Sequence, residues 1–304
     1  MVEERAFTQG LARFFGTARG LQIGIGDDAA VVQNRGSNSV LCCDPVVQGV
    51  HFTERDSPQD VGRKAVNRNL SDLAAMGAVA DWLLVSLVLP RGFAARRRHG
   101  LLAGIRSAAR QAKCTVVGGD VATGRGPLVV TVTAVGHLPG RALQRSGARV
   151  GDTLHVTGPL GGSRQGHHLR FRPALREGVW LARQRAVHAA IDVSDGLLLD
   201  LQTLLLASGG LGAEIDARAL PISVAARRLA AGGPRSALRH ALTDGEDHVL
   251  LWAQTAGAAL PKGGPLAARA RRPIGRVLRE RGLWLVHKGR RERVQHEGFQ
   301  HALS

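Results

Sequence analysis

Aspartates beside glycine or at the ends of apolar runs are the residues of this chain best equipped for chemistry. They are Asp27 and Asp28 in Gly24-Ile-Gly-Asp-Asp28, Asp44 after Ser39-Val-Leu-Cys-Cys43, Asp72, Asp120 after Gly118-Gly119, and Asp192 and Asp195 in Asp192-Val-Ser-Asp-Gly196. Carboxylates are hard oxygen ligands, and magnesium is held by a few of them together with water and substrate phosphates. The pattern points to magnesium-assisted chemistry on phosphates, with ATP as their source. The turns Gly118-Gly119 and Gly158–Gly162 are expected to let backbone N–H groups approach phosphate oxygens without a side chain in the way. Neither a G-x-x-x-x-G-K-[ST] loop nor a His-Arg-Asp kinase loop is present, so phosphoryl transfer here needs another scaffold.

These carboxylates need elements to hold them. Ser39–Asp44 is an apolar run before proline and reads as a buried strand stopping at Asp44. Ser57-Pro58 is an N-cap followed by proline at the first helical position, and Gly77 is a stop, so a helix is expected over 58–76. On its wheel Val61, Ala65, Val66, Leu70, Leu73 and Met76 share an arc, with Arg63, Lys64, Asn67 and Ser71 opposite. Asn69 and Asp72 fall inside the apolar arc. A carboxylate on a buried face is costly unless paired or bound to a cation, which makes Asp72 a ligand candidate on physical grounds alone.

Further along, 81–89 reads as a strand, 94–113 as a helix, 114–117 as a short strand running into Gly118-Gly119-Asp120, and 128–135 as a β-branched strand. This alternation predicts a mixed α/β layer. A composition change near Pro139-Gly140 sets a boundary, giving domains 1–145 and 146–304. The second half is expected to hold a strand at 153–157, a helix over 174–188, the Asp192–Gly196 turn, a leucine-rich helix to Ser208, and strands at 212–216 and 249–252.

The 304 residues are 44% hydrophobic, enough for a real core. Lys and Arg total 41 against 24 Asp and Glu, a net charge of +17 that raises nucleic acid as a partner. The arginines are spread in short clusters, aromatics are 4% and tyrosine is absent, which argues against a dedicated reader of bases. Cys42, Cys43 and Cys114 form neither a metal pair nor a disulfide framework and read as reduced, buried thiols. No apolar run approaches the roughly 20 residues of a membrane span, and residues 1–5 do not open a signal peptide, so a cytoplasmic location is expected.

In order along the chain, Gly24-Ile-Gly-Asp-Asp-Ala-Ala30, Asp44 with Gly49-Val-His-Phe52, Asn69-Leu-Ser-Asp72, Val117-Gly-Gly-Asp120, Arg145-Ser-Gly-Ala148, Thr157-Gly158, Asp192-Val-Ser-Asp-Gly-Leu197 and Gly245-Glu-Asp247 resemble thiamine-monophosphate kinases, within the aminoimidazole-ribonucleotide-synthetase-like superfamily. The resemblance runs from about residue 7 to Phe299. It implies a two-domain α/β (α+β) fold, with an N-terminal mixed α/β domain that forms a barrel with its mate in a homodimer and a C-terminal α+β domain completing the active site. It implies transfer of the ATP γ-phosphate to thiamine monophosphate. By the same resemblance Asp28, Asp44, Asp72, Asp120, Asp192 and Asp195, with the Cys43 backbone carbonyl, would hold magnesium. Gly119, Asp120, Arg145 and Ser194 would contact ATP, and His51, Glu246 and Phe299 the thiamine substrate. Asp44, Asp72, Asp120 and Arg145 are the catalytic candidates.

Departures from the family pattern are local. Cys42-Cys43 stand where a Ser/Thr pair usually precedes the aspartate, Leu102 where an adenine-contacting tyrosine is common, and Asp244-Gly-Glu-Asp-His248 where Gly-Gly-Glu-Asp-Tyr is usual. Two other readings stay open: a related ATP-using enzyme of the superfamily acting on another substrate, and a basic paralogue that binds nucleotide or nucleic acid without catalysis.

Overall fold

The computed structural model describes residues 20–34, 37–295 and 298–299. Its first sheet has six strands in the order β1-β2-β3-β6-β4-β5: β1 (Leu21–Ile23), β2 (Ala30–Asn34), β3 (Ser37–Val47), β4 (Val79–Pro90), β5 (Thr115–Gly124) and β6 (Val129–His137). All its pairings are antiparallel except β4 with β5, which run parallel because a helix, α2 (Ala95–Ala112), carries the chain between them. β3 does not stop at Asp44. It continues through Pro45 to Val47 alongside β6, and past Leu41 no β2 residue pairs with it, so the proline meets an open side of the strand.

The helix α1 (Pro58–Ala75) begins as its sequence dictates, with the Ser57 hydroxyl accepting the Asp60 N–H at 3.1 Å and Gly77 leaving in the left-handed region at φ 71°. It lies against α2 at two glycines. A side chain at Gly62 would strike the Leu101 carbonyl, and one at Gly104 the Gln59 carbonyl.

The polar arc of α1 does not face solvent, contrary to its wheel. Lys64, Asn67 and Ser71 are buried because the second half of the chain packs on that side. Asn67 donates to the Phe171 carbonyl at 2.6 Å and Ser71 to the Asp192 carboxylate at 2.7 Å. One helix thus serves as the shared wall of two layers.

That second layer is a seven-stranded sheet ordered β13-β12-β9-β11-β7-β10-β8, with β7 (Thr153–Val156), β8 (Val187–Asp192), β9 (Gly212–Asp216), β10 (Leu250–Gln254), β11 (Gly275–Leu278), β12 (Gly282–His287) and β13 (Arg290–Val294). Its helices are α3 (His167–Arg170), α4 (Leu175–Ala182), α5 (Leu197–Ala207), α6 (Val224–Ala231) and α7 (Ala237–Thr243). The helix expected over 174–188 ends at Ala182, since β8 takes the chain from Val187 into the sheet. A leucine core under this sheet (Leu154, Leu197, Leu201, Leu204, Leu251) is distinct from the core between the first sheet and α1. Among the described residues no helix is long and apolar enough to cross a membrane.

Candidate active site

Three of the expected carboxylates meet where the layers join. Asp28 comes from the turn between β1 and β2, Asp72 from the last turn of α1, and Asp192 from the C-terminal end of β8, and one oxygen from each lies within 4.8 Å of the others. Like charges this close, out of water, cannot all stay ionised without compensation. Burial pushes the Asp28 carboxyl up to about 7 against the pull of Arg145, with Asp192 and Asp27 adding to the rise. Burial, then Asp44, Asp192 and Asp28, drive Asp72 well above the carboxylate range. Asp192 goes the other way: burial opposes its charge, but the His248 hydrogen bond, Ser71 and Arg145 hold it below its ordinary value.

Arg145 donates from Nη2 to Asp28 at 2.7 Å, and its own backbone N–H faces both Asp27 oxygens at 3.3 Å. Two buried atoms here have no hydrogen-bond partner among the described residues: Asp28 Oδ2, an acceptor, and Arg145 Nε, a donor. An unsatisfied carboxylate oxygen in a cluster of three is what a hard cation would satisfy, so the residues fit magnesium. The free guanidinium N–H fits an anion beside it.

Asp44 stands next to this cluster, ion-paired to Arg68 Nε at 3.1 Å, with its backbone N–H held by Asn69 Oδ1 at 2.9 Å. The strand's alternation puts Cys42, not the Cys43 side chain, against Asp72. The Cys42 thiol donates to the Asn69 carbonyl at 3.2 Å, and burial followed by the Asp72 and Asp44 charges keeps it protonated. Cys43 is exposed on the opposite face, accepting from Thr133 at 3.2 Å, so the expectation of three buried cysteines holds only for Cys114 and in part for Cys42.

Asp120 and Gly119 lie apart from the three carboxylates. Gly118-Gly119-Asp120 is not a turn but the middle of β5, an exposed edge strand in parallel register with β4, where Asp120 faces Ser86. Gly119 sits at φ 148°, and a side chain there would run into the Val85 carbonyl.

On the other side of Asp192 a cavity of about 380 Å³ opens, lined by His51, Arg68, Ser194, Asp195, Glu246 and Phe299 among others. The three residues expected to contact substrate are therefore brought together from positions 51, 246 and 299. His51 accepts the Val47 N–H on Nδ1 at 3.0 Å, leaving Nε2 to carry the proton. Phe299 is tied in through its backbone N–H to the Asp195 carbonyl at 2.9 Å. Ser194 and Asp195 sit in the turn after β8, whose N–H groups at Asp195 and Gly196 are capped by Asp200 at 3.0 and 3.1 Å.

The last two glycines of the second turn do not offer their N–H groups to a ligand. Gly161 N–H is taken by both Asp247 oxygens at 2.9 and 3.0 Å, and Gly162 N–H by Asp244 at 2.9 Å. Asp244 is also paired with His240 at 2.9 Å and Arg235 at 3.1 Å.

Sequence reasoning missed Lys64 and His248. Buried His248 stacks on Phe171 with centroids 4.1 Å apart, and its Nδ1 meets Asp192 at 3.3 Å while Nε2 lies 3.8 Å from Glu246. It thereby joins the carboxylate cluster to the cavity, and these two carboxylates raise its basicity despite burial. Glu246 is held well below its usual range by His248 and Lys64, which outweigh burial. The clue to Lys64 in the sequence was a lysine and two small polar residues at i, i+3 and i+7 on one side of α1.

Residues 26–138 match the family model for the AIR synthase related protein, N-terminal domain. Thiamine-monophosphate kinase of Rhodopirellula baltica is 42% identical over 290 residues, covering 92% of this chain and 91% of its own length. Thiamine-monophosphate kinase of Escherichia coli (strain K12) is 37% identical over 267 residues, 79% of this chain and 80% of its own. A solved structure described as "AaThiL complexed with AMPPCP and TMP" superposes with a TM-score of 0.87 at 28% identity, covering 99% of this chain and 97% of that one. With 42% identity to one such enzyme over nearly the whole length of both chains, this chain belongs to the thiamine-monophosphate kinase family.

Proposed function

We propose that this protein transfers the γ-phosphoryl group of ATP to the phosphate of thiamine monophosphate, giving thiamine diphosphate and ADP. The observation that carries this reading is the shared wall of the site: Asp192 belongs to the carboxylate cluster, Glu246 to the cavity, and His248 lies between them. An acceptor held in the cavity presents its phosphate toward the cluster, where the nucleotide phosphates would be gathered.

An oxygen of the acceptor phosphate attacks the γ-phosphorus, a new P–O bond forms, and the bond to the bridging oxygen breaks with its electron pair leaving on ADP. The acceptor is already an anion, so no general base is required and catalysis rests on positioning and charge compensation. Magnesium, when bound by Asp28, Asp72 and Asp192 with Asp44 beside them, would supply that compensation. Arg145 orients the Asp28 carboxylate and offers its Nε–H to a phosphate oxygen. Glu246 suits the cationic, amine-bearing thiamine rings, and Phe299 offers them an apolar face. Roles for Asp120, Gly119, Ser194, Asp195 and the Cys43 carbonyl around the nucleotide and metal belong to the same reading.

A homodimer is also part of it, on the support of the open face of the first sheet. Trp82, Leu84 and Val88 of β4 are exposed there, Trp82 by 54% and Leu84 by 43%, and exposed apolar faces of this kind mark association surfaces. We assign residues 1–145 to metal binding and dimerisation and 146–304 to completing the site, in a cytoplasmic enzyme. Purified protein given γ-labelled ATP, magnesium and thiamine monophosphate is expected to yield labelled thiamine diphosphate. Label released only as inorganic phosphate, or not at all, refutes the reading.

A further inference from the structure

Glu246 occupies a backbone conformation that only its surroundings make tenable. Glu246 and His248 both lie in the left-handed region, at φ 58° and 47°, although neither is glycine. Two main-chain hydrogen bonds hold the segment to the turn after β8, Glu246 N–H to the Ser194 carbonyl at 2.6 Å and His248 N–H to the Val193 carbonyl at 2.8 Å. They fix the backbone. They do not aim the carboxylate.

The group nearest the carboxylate is Lys64, whose Nζ stands 2.5 Å from Glu246 Oε2, against 3.8 Å for His248 Nε2. Lys64 comes from α1, in the other half of the chain, and its side chain is fully buried. Beside this ion pair the ammonium donates a hydrogen bond to the His51 carbonyl at 2.6 Å. His51 itself is fixed independently, through its N–H to the Val47 carbonyl at 2.9 Å and its ring to the Val47 N–H. The ammonium is therefore suspended between a rigid carbonyl and a carboxylate that borders the cavity. A buried lysine is costly unless paired, and a pair that spans two halves of a protein fixes their register.

We propose that Lys64 is a positioning residue for acceptor recognition, aiming the Glu246 carboxylate into the cavity so that Oε2 stays on the lysine and Oε1 receives an N–H of the acceptor's heterocycle. The inference rests on the acceptor reading above. It goes beyond it in giving a side chain from the opposite layer control of substrate affinity with no part in holding nucleotide or metal.

The test is a double-mutant cycle in steady-state kinetics on the full-length protein, with ATP and thiamine monophosphate each varied, comparing wild type, Lys64→Met, Glu246→Gln and the double variant. Lys64→Met is expected to raise the acceptor KM roughly tenfold while the ATP KM stays within about twofold, and adding Lys64→Met to Glu246→Gln is expected to change the acceptor KM by less than about twofold. A structural role would instead lower the melting temperature without splitting the two KM values. Lys64→Met leaves the Glu246 carboxylate with His248 at 3.8 Å as its nearest cationic neighbour and can fail to fold, but the double variant removes both charges together, so its comparison with Glu246→Gln alone decides the matter. A further tenfold loss in the double variant, equal effects on both KM values, or a Glu246→Gln variant with an unchanged acceptor KM overturns the proposal. Wild-type protein that leaves thiamine monophosphate unmodified overturns the acceptor reading itself, an outcome seen before any variant is made.

Discussion

Asp72→Asn should stabilise the metal-free protein while abolishing its activity. The three carboxylates approach within 4.8 Å, and at an effective dielectric of about 20 each ionised pair repels by about 3.5 kcal/mol. Asp72 has two such neighbours, so full ionisation would cost about 7 kcal/mol before compensation by Arg145 and His248. Proton uptake relieves part of this, at about 1.4 kcal/mol for each pH unit between the raised pKa and the solution. The amide is nearly isosteric and carries no charge, so a net gain of about 1–3 kcal/mol remains at pH 8, a rise in melting temperature of roughly 2–6 °C. With magnesium at about a hundred times its dissociation constant, the wild type gains about 2.7 kcal/mol by mass action and the variant far less, so the order of stability reverses. Thermal melts of both proteins in chelator and in excess magnesium read this directly, alongside a turnover assay in which the variant falls about a hundredfold or more. An Asp72→Asn protein that melts below wild type in chelator, or that magnesium stabilises as much as wild type, refutes the reasoning.

Asp28 titrates near 7 in the fold against 3.8 as an isolated side chain, so the folded metal-free state holds the extra proton: its stability from this group is complete below 3.8 and is lost as pH rises through about 7. Magnesium binding should accordingly release more protons at pH 6, where Asp28 still holds its proton, than above pH 8, measured by calorimetry in buffers of different ionisation heat; equal release at both pH values sinks the assignment. His155, buried and stacked on Trp252, is pushed by burial from 6.5 down to about 4, so stability is full above 6.5 and is lost as pH falls to about 4. This limb amounts to about 3 kcal/mol, and His155→Phe should flatten it in urea titrations across that window. Trp82→Arg, on the open sheet face, should leave the melting temperature within a few degrees and turn a dimer into a monomer by light scattering; a wild type that is monomeric at micromolar concentration, or a variant that stays dimeric, removes that face from the interface.

Local signals were enough for several parts of this molecule. Ser57, Pro58 and Gly77 marked α1 to within a residue, because caps and φ preferences act over a single turn. Asp72 stood out because a carboxylate inside an apolar arc is anomalous whatever packs there, and the ordered motifs carried the family. Gly118-Gly119-Asp120 misled, since a glycine pair looks like a turn until a parallel neighbour such as β4 supplies the hydrogen bonds that make it strand. The N–H groups of Gly161 and Gly162 looked available because Asp244 and Asp247, about 80 residues away in sequence, could not be seen to claim them.

Lys64 shows the limit most plainly. Helical periodicity reports that a helix has a polar side, and solvent is the ordinary occupant of that side. Only the docking of the second half on α1 turned the side into an interior, where a lysine has to find a carboxylate, an asparagine a carbonyl and a serine the Asp192 cluster. Composition and spacing thus determined which residues could bind metal and phosphate. Which of them meet, and which charges are left inside without water, was decided by the packing of two layers on one helix, because desolvation and pairing depend on distances that the chain sets only once it is folded.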